Sequence, residues 1–259
     1  LPNVVCTPHL GASTTEAQEN VALQVAEQMS DYLIKGAVSN AINMPSISAE
    51  EAPILKPFIR LADVLGSFAG QVTESPIKEI EILYDGQTAT MNTKALTSAL
   101  LAGLIRNQVS DVNMVSAPIM IKEKGIVLSE VKRDKTGVYD GYIKLTVTTA
   151  NQTRSIAGTV FSDGKPRFIQ IKGINMDADV GANMIYISNT DVPGMIGFMG
   201  TTLGEGGVNI ANFQLGRDKQ GGDAIALLYV DEPVKQEVLD KLTSHPAIRQ
   251  AKPLNFNVD

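Results

Sequence analysis

Three small sets of side chains in this sequence have types and spacings that suit chemistry. The first surrounds a helix start, Asp191-Val192-Pro193-Gly194, with Asn189 just before it and Asn209 after the helix predicted to follow. Pro fits the first turn of a helix and Asp fits its cap. A helix N-terminus offers N–H groups to a carboxylate, and a neighbouring Asp accepts from an ammonium group. If Asn189, Asp191 and Asn209 converge, they form a site for a zwitterion, that is, a free amino acid; the plainer reading is a simple N-cap. The second set is Lys165, Arg167 and Lys172, which as a cluster would attract a phosphate or carboxylate, and as a solvated strand face would bind nothing. The basic run Lys122, Lys124, Lys132, Arg133 and Lys135 reads as surface. The third is His9 in Thr7-Pro8-His9-Leu10-Gly11-Ala12. An imidazole titrating near ~6.5 suits reversible proton transfer at neutral pH, although a lone His is more often structural.

Other chemistries lack their residues. Cys6, His9 and His245 are the only soft ligands, so no metal site is expected. G-x-G-x-x-G is missing, because Gly204 and Gly206 are followed by Asn209 where the third glycine belongs. Gly194, Gly197 and Gly200 fall at i, i+3 and i+6, which predicts one side of a helix in close helix packing rather than a phosphate loop. Neither a G-x-S-x-G elbow nor a P-loop occurs, and no nicotinamide site is encoded in these residues.

The elements that must position these residues divide the chain in three: 1–40, 41–182 and 183–259. In the first, Asn3–Thr7 reads as a short strand end, Ser13 and Glu16 form a capping box, and Ala17 to Leu33 carry one apolar helical stripe closed by Gly36. One strand end and one helix bury no core, so this stretch must pack on something else. In the second, helices at Glu50–Val72 (with a turn or kink at Pro53 and Pro57), Thr93–Val109 and Pro118–Lys124 accompany strands at Ile77–Tyr84, Ile126–Lys132, Tyr142–Thr149, Arg154–Phe161 and Arg167–Lys172. Helices beside a run of antiparallel strands indicate α+β. In the third, strands at Met184–Ser188, Val208–Leu215, Ala224–Val230 and Ile248–Phe256 alternate with helices starting at Asp191 and Pro233, giving the order βαββαβ of a ferredoxin-like fold. Ala224–Val230 is apolar at every position, so both its faces need cover: two helices on one, a dimer partner or neighbouring domain on the other.

Composition narrows the class. The chain has 259 residues, 44% hydrophobic and 19% charged, with a net charge of −6. That balance excludes a disordered chain and argues against nucleic acid, which needs clustered cations. The longest apolar run is seven residues, against the ~20 a membrane helix requires. One cysteine allows no internal disulfide, no secretory pattern opens the chain, and a reducing, cytoplasmic setting is expected. The sequence begins Leu1-Pro2-Asn3 without Met, which reads as a fragment.

Residues 183–259 resemble an ACT domain, the amino-acid-sensing module, through Asn189-Thr190-Asp191-Val192-Pro193-Gly194 and Gly207-Val208-Asn209-Ile210. The resemblance implies an effector held between two such domains at a dimer interface, with Asp191, Asn209 and, less securely, Asn189 as contacts. Asn3–Thr14 resembles the end of the catalytic region of the D-3-phosphoglycerate dehydrogenases, where Thr-Pro-His-x-Gly-Ala carries the catalytic His. His9 would then be the general acid/base while hydride passes to or from NAD. The family's Rossmann fold, substrate Arg and His-orienting Glu are absent from these residues, so the chain alone is expected to be inactive and to hold no cofactor. Residues 41–182 resemble the intervening, allosteric substrate-binding domain of the long form of that family, at Asn40-Ala41-Ile42-Asn43, Ala62–Gly70 and Arg167–Gly173. Where relatives complete an anion site with basic or His side chains, Asn175 and Asp179 stand here. The implied role is regulatory, with L-serine or another small amino acid as effector and a homo-oligomer, dimer or tetramer, formed through the ACT domains. The rivals are a stand-alone amino-acid-binding or oligomerisation module and the regulatory part of an L-serine dehydratase.

Overall fold

A computed structural model of the chain describes residues 2–134 and 137–257; Lys135, the last of the basic run, lies outside them. The chain falls into two compact units, residues 1–56 and 57–259.

In the first unit, Asn3–Thr7 forms no strand. Helix α1 spans Thr15–Lys35 and is capped by Thr14, whose hydroxyl accepts from the Ala17 amide at 3.1 Å; the cap is thus one residue later than the Ser13 expected. Gly36 closes the helix at φ 73° with its amide on the last-turn carbonyls. Val38 and Ile47 then pair in an isolated antiparallel bridge. A reciprocal capping box follows: the Ser48 amide donates to Glu51 Oε2 and the Glu51 amide to Ser48 Oγ, both at 3.1 Å. It precedes α2, Ala52–Val72, which runs through Pro57.

The second unit carries two sheets. The larger has the order β2-β1-β3-β4-β5-β6. Its strands are β1 (Ile77–Gly86), β2 (Val127–Arg133), β3 (Gly141–Thr149), β4 (Thr153–Val160), β5 (Pro166–Ile171) and β6 (Ile174–Asp179). All pairs are antiparallel except β1–β2, which is parallel because α3 (Gln87–Thr90), α4 (Thr93–Ile105) and α5 (Ser116–Glu123) form the crossover between them. β3 alternates buried and half-buried along its whole length, with Ile143, Leu145 and Val147 inward. The helix α4, apolar on nearly every side, is buried from Ala95 to Ile105. It reaches α2 at backbone distance: a Cβ on Gly66 would lie 1.9 Å from the Leu100 carbonyl oxygen, and one on Gly103 2.2 Å from that of Asp63. A bidentate Arg106–Asp63 pair, at 2.5 and 3.1 Å, ties the same two helices.

The smaller sheet has the antiparallel order β10-β7-β9-β8, built from β7 (Asn183–Thr190), α6 (Met195–Glu205), β8 (Ile210–Arg217), β9 (Asp223–Val230), α7 (Gln236–Thr243) and β10 (Ile248–Asn255). This is the ferredoxin-like βαββαβ order, and the chain is α+β as expected. Ile185, Ile187, Ala226 and Leu228 meet Met199, Leu203, Val238 and Leu242 from the two helices in one core. The other face of the sheet is covered from within the chain. Phe68 of α2 stands edge-on to Tyr186 at 5.5 Å and touches Phe168 of β5 at 5.4 Å, and Phe168 touches Phe256 at 5.9 Å. The Gln71 side chain closes this junction, donating to the Asn255 carbonyl at 2.9 Å and accepting from its amide at 2.8 Å.

Candidate functional site

The last residues of β7 and the turn after them form the most structured polar site in the second unit. Hydrogen bonds fix the backbone: the Thr190 amide donates to the Ala247 carbonyl and the Asp191 amide to the Gly222 carbonyl, both at 2.8 Å. Asn189 is 1% exposed. Its Nδ2 donates to the Thr190 carbonyl at 2.8 Å, while its Oδ1 is buried with no hydrogen-bond partner among the described residues. An orphaned buried acceptor is costly and invites a donor.

Asp191 does not cap the following helix. Gly194 takes the N-cap position at φ 89° with no side-chain hydrogen bond, so the first N–H groups of α6 lack a side-chain acceptor. The Asp191 carboxylate turns instead to the β8–β9 turn, where Oδ2 accepts from Arg217 Nη1 at 2.7 Å and from the Gly221 amide at 3.1 Å. The Arg217 guanidinium, and then the Gly221 amide, hold its carboxyl below the usual carboxylate range. Asp191 and Arg217 thus set an acceptor and a donor side by side next to an uncapped helix start. Sequence reasoning missed Arg217 and Gly221, which lie 26 and 30 residues away and reach Asp191 only because β9 brings the end of β8 alongside β7.

Asn209 does not join them within one copy of the chain. Ile210 pairs with Val230, and Val230 with Asn183, whereas Asn189 pairs with Ala224 at the other end of β9. At about 3.3 Å per residue this separates Asn209 from Asp191 by roughly 20 Å. A βαβ crossover always begins its second strand at the opposite end from where the first strand stopped, so the convergence expected from sequence fails for one protomer. Asn209 Nδ2 instead donates to Asp231 Oδ2 at 2.7 Å.

The glycine stripe also differs from expectation. A Cβ on Gly197, Gly200 or Gly204 would meet no atom within 4 Å, so that side of α6 packs against nothing among the described residues, and Ile196 beside it is 57% exposed. Gly194 alone precedes the helix, with Gly197 and Gly200 inside it, so these residues do not fit a dinucleotide phosphate.

The basic trio is split. Lys165 and Arg167 line a groove of about 520 Å³ with Arg60. There Arg167 is neutralised by Asp179 at 2.7 Å and Asp163 at 3.3 Å and lies over the Phe161 ring, 5.2 Å from its centroid. Lys172 stands beyond the far end of β5, roughly 17 Å along the strand from Arg167. It lines a second groove, with Arg154 and Arg249, neither of which the sequence marked.

His9 lies exposed in the loop before α1, and Cys6 is an exposed free thiol. His245 is a packing residue, its ring 4.6 Å from that of Phe198 and its Nδ1 accepting from the Ala247 amide at 3.2 Å. Among the described residues no group of three or more His, Cys, Asp or Glu could hold a metal, and no helix is long and apolar enough to cross a membrane.

An α+β body joined to a ferredoxin-like βαββαβ unit is the class of chain this architecture defines. Residues 54–172 match the family model of the D-3-phosphoglycerate dehydrogenase intervening domain. Over 252 residues, 97% of this chain, it is 36% identical to the D-3-phosphoglycerate dehydrogenase of Bacillus subtilis, of which it covers 48%. Over 259 residues, 99% of this chain, it is 35% identical to that of Methanocaldococcus jannaschii, of which it covers 49%. The chain spans about half the length of the curated relatives it matches. A solved structure, the ACT domain from GTP pyrophosphokinase of Chlorobium tepidum, is 21% identical, covers 28% of this chain and 95% of that one, and has a TM-score of 0.24. The chain belongs to the D-3-phosphoglycerate dehydrogenase family and matches the C-terminal part of those proteins.

Proposed function

We propose that this chain is the regulatory part of an NAD-dependent dehydrogenase that oxidises 3-phosphoglycerate to 3-phosphohydroxypyruvate in the cytoplasm, for L-serine synthesis, and that it binds L-serine as effector. On this reading residues 1–40 end the catalytic region, 41–182 are the intervening domain and 183–259 are an ACT domain. In the whole enzyme His9 would exchange a proton with the substrate hydroxyl. The nicotinamide would accept the hydride, and its cradle belongs to the part of the enzyme outside this chain.

The observation that carries the effector reading is the juxtaposition of Asp191, the orphaned Asn189 Oδ1 and the uncapped start of α6. The ammonium group of an amino acid suits Asp191, which stays ionised through the physiological range. Its carboxylate suits the free N–H groups of α6 and the Arg217 guanidinium. Asn209, about 20 Å away in the same copy, would complete the site only from a second copy. The open glycine side of α6 and exposed Ile196 supply a surface for that copy. A ligand shared by two copies favours one arrangement of the oligomer over another, which is the physical requirement for regulation.

The test is calorimetric titration of L-serine, with D-serine as control, into the chain and into Asp191→Ala. Saturable L-serine heat that Asp191→Ala abolishes is the expected result. Titration curves that coincide for the two proteins would refute the assignment of Asp191 to the effector.

A further inference from the structure

The larger sheet has two edges, and only one of them is covered. At β6 the neighbouring strand β8 closes in: a Cβ on Gly216 would lie 2.7 Å from the Asn175 carbonyl oxygen. β2 forms the other edge, and among the described residues no strand pairs with its outer side. We propose that this edge pairs with β2 of a second copy of the chain, antiparallel about a two-fold axis at Val131, so that the larger sheets of the two copies run on into one.

β2 lacks two of the devices that blunt an exposed edge. Its seven residues contain no proline, and they pair with β1 from Val127 to Arg133 without a register shift, so no bulge turns the strand aside. Val127 and Val131 are 59% and 43% exposed. The pairing with β1 also fixes the two faces. Leu128, Glu130 and Lys132 stand beside Ile80, Ile82 and Tyr84, all buried on the helix side, and Glu130 Oε1 accordingly accepts from the Thr97 hydroxyl of α4 at 2.5 Å. Val127, Ser129, Val131 and Arg133 share the opposite face, where Val131 lies beside half-buried Leu83.

The side chains select both the occupant and the register. A two-fold axis normal to the sheet keeps every residue on its own face, so an antiparallel copy must meet this strand with the axis at a residue: Ser129, Glu130, Val131 or Lys132. An axis at Glu130 or at Lys132 sets identical charges directly opposite, which is destabilising. An axis at Ser129 sets the Glu130 carboxylate against Leu128 of the second copy. An axis at Val131 sets Glu130 against Lys132 of the second copy and Lys132 against its Glu130, two opposite-charge pairs on the helix side. On the other face Val131 then meets its own counterpart, extending the apolar contact with Leu83. Among the described residues neither Glu130 nor Lys132 forms a salt bridge within the chain. A lysine on an edge ordinarily deters pairing; with a glutamate two residues before it, the same lysine favours one partner in one register. α6 packs on the other sheet, so this pairing leaves its open side untouched.

The test is sedimentation velocity on the 259-residue chain at low ionic strength, where exposed charge pairs are least screened. Glu130→Lys and Lys132→Glu each place like charges opposite one another, and each variant alone should sediment as a smaller species than the parent. In an equimolar mixture the two variants are complementary, Lys against Glu at both pairs, and the parent's size should return. That recovery also shows both variants to be folded, including Glu130→Lys, which gives up the Thr97 bond. Mild oxidation reads the register. In a Cys6→Ser background Val131→Cys should link two copies, because facing residues of an antiparallel pair lie within disulfide reach. Ser129→Cys, roughly 13 Å along the strand from its counterpart, should stay reduced. Single variants that sediment as the parent does, a mixture that stays small, or Ser129→Cys linking as readily as Val131→Cys would each overturn the proposal.

Discussion

A carboxyl that accepts from a guanidinium and a backbone amide at once stays ionised well into acid, and Asp191 is in that position. Its native pKa lies below the 3.8 of a free aspartate. The sign follows from linkage: the contribution is present above the unfolded value and is lost as pH falls through the lower native one. Removing the partner with Arg217→Ala should raise the Asp191 pKa toward its ordinary value, read from the side-chain carboxyl resonance in an NMR pH titration. A pKa unmoved by that substitution would mean that the Gly221 amide alone sets it. Asp191 was legible in the sequence as a polar residue at a helix start, but its partner was not. A capping aspartate and an ion-paired one share the same local pattern, and Gly194, free to take φ 89°, relieved Asp191 of the cap. The basic trio misled for a related reason: six residues of strand keep two cations apart that look adjacent in a list.

Among the elements, the crossing of α2 and α4 is the tightest packing described. The backbones touch where Gly66 and Gly103 stand, so even a methyl group has no room. Gly103→Ala should lower the unfolding free energy by about 3 kcal/mol, the upper end of the range for overpacking, as measured by urea titration. A variant as stable as the parent would show that the helices can part without loss. Helix positions were readable from periodicity and punctuation: α4 from its apolar run, α1 from its glycine stop. β6 escaped notice although Ile174, Met176 and Ala178 alternate with Asn175, Asp177 and Asp179, because Asn and Asp signal turns when read singly. The parallel β1–β2 pair escaped too, since strand order is set by how three intervening helices pack and not by either strand's own residues.

For the whole molecule, the need to cover both faces of β9 was visible in seven consecutive apolar residues. What covers the second face was not: Phe68 and Phe168 lie well over 50 residues from Tyr186 or on a separate sheet, and aromatic residues carry no address. With that face occupied inside the chain, the open side of α6 is the surface that the proposed assembly of copies would use. Gly200→Leu adds a side chain where nothing stands within 4 Å and the backbone needs no positive φ, so the fold should survive. We expect the variant to sediment as a smaller species than the parent and to lose L-serine binding together with assembly. Unchanged sedimentation would move the interface elsewhere.

The short connection between the two sheets has a kinetic side. Only Val180, Gly181 and Ala182 join β6 to β7, and Gly181 sits so close to the Tyr229 ring that a Cβ would come within 2.3 Å of it. So short a tether holds the aromatic face of one sheet over its receptor on the other at a high effective concentration. Docking therefore behaves as an intramolecular step, whose rate does not depend on how concentrated the protein is.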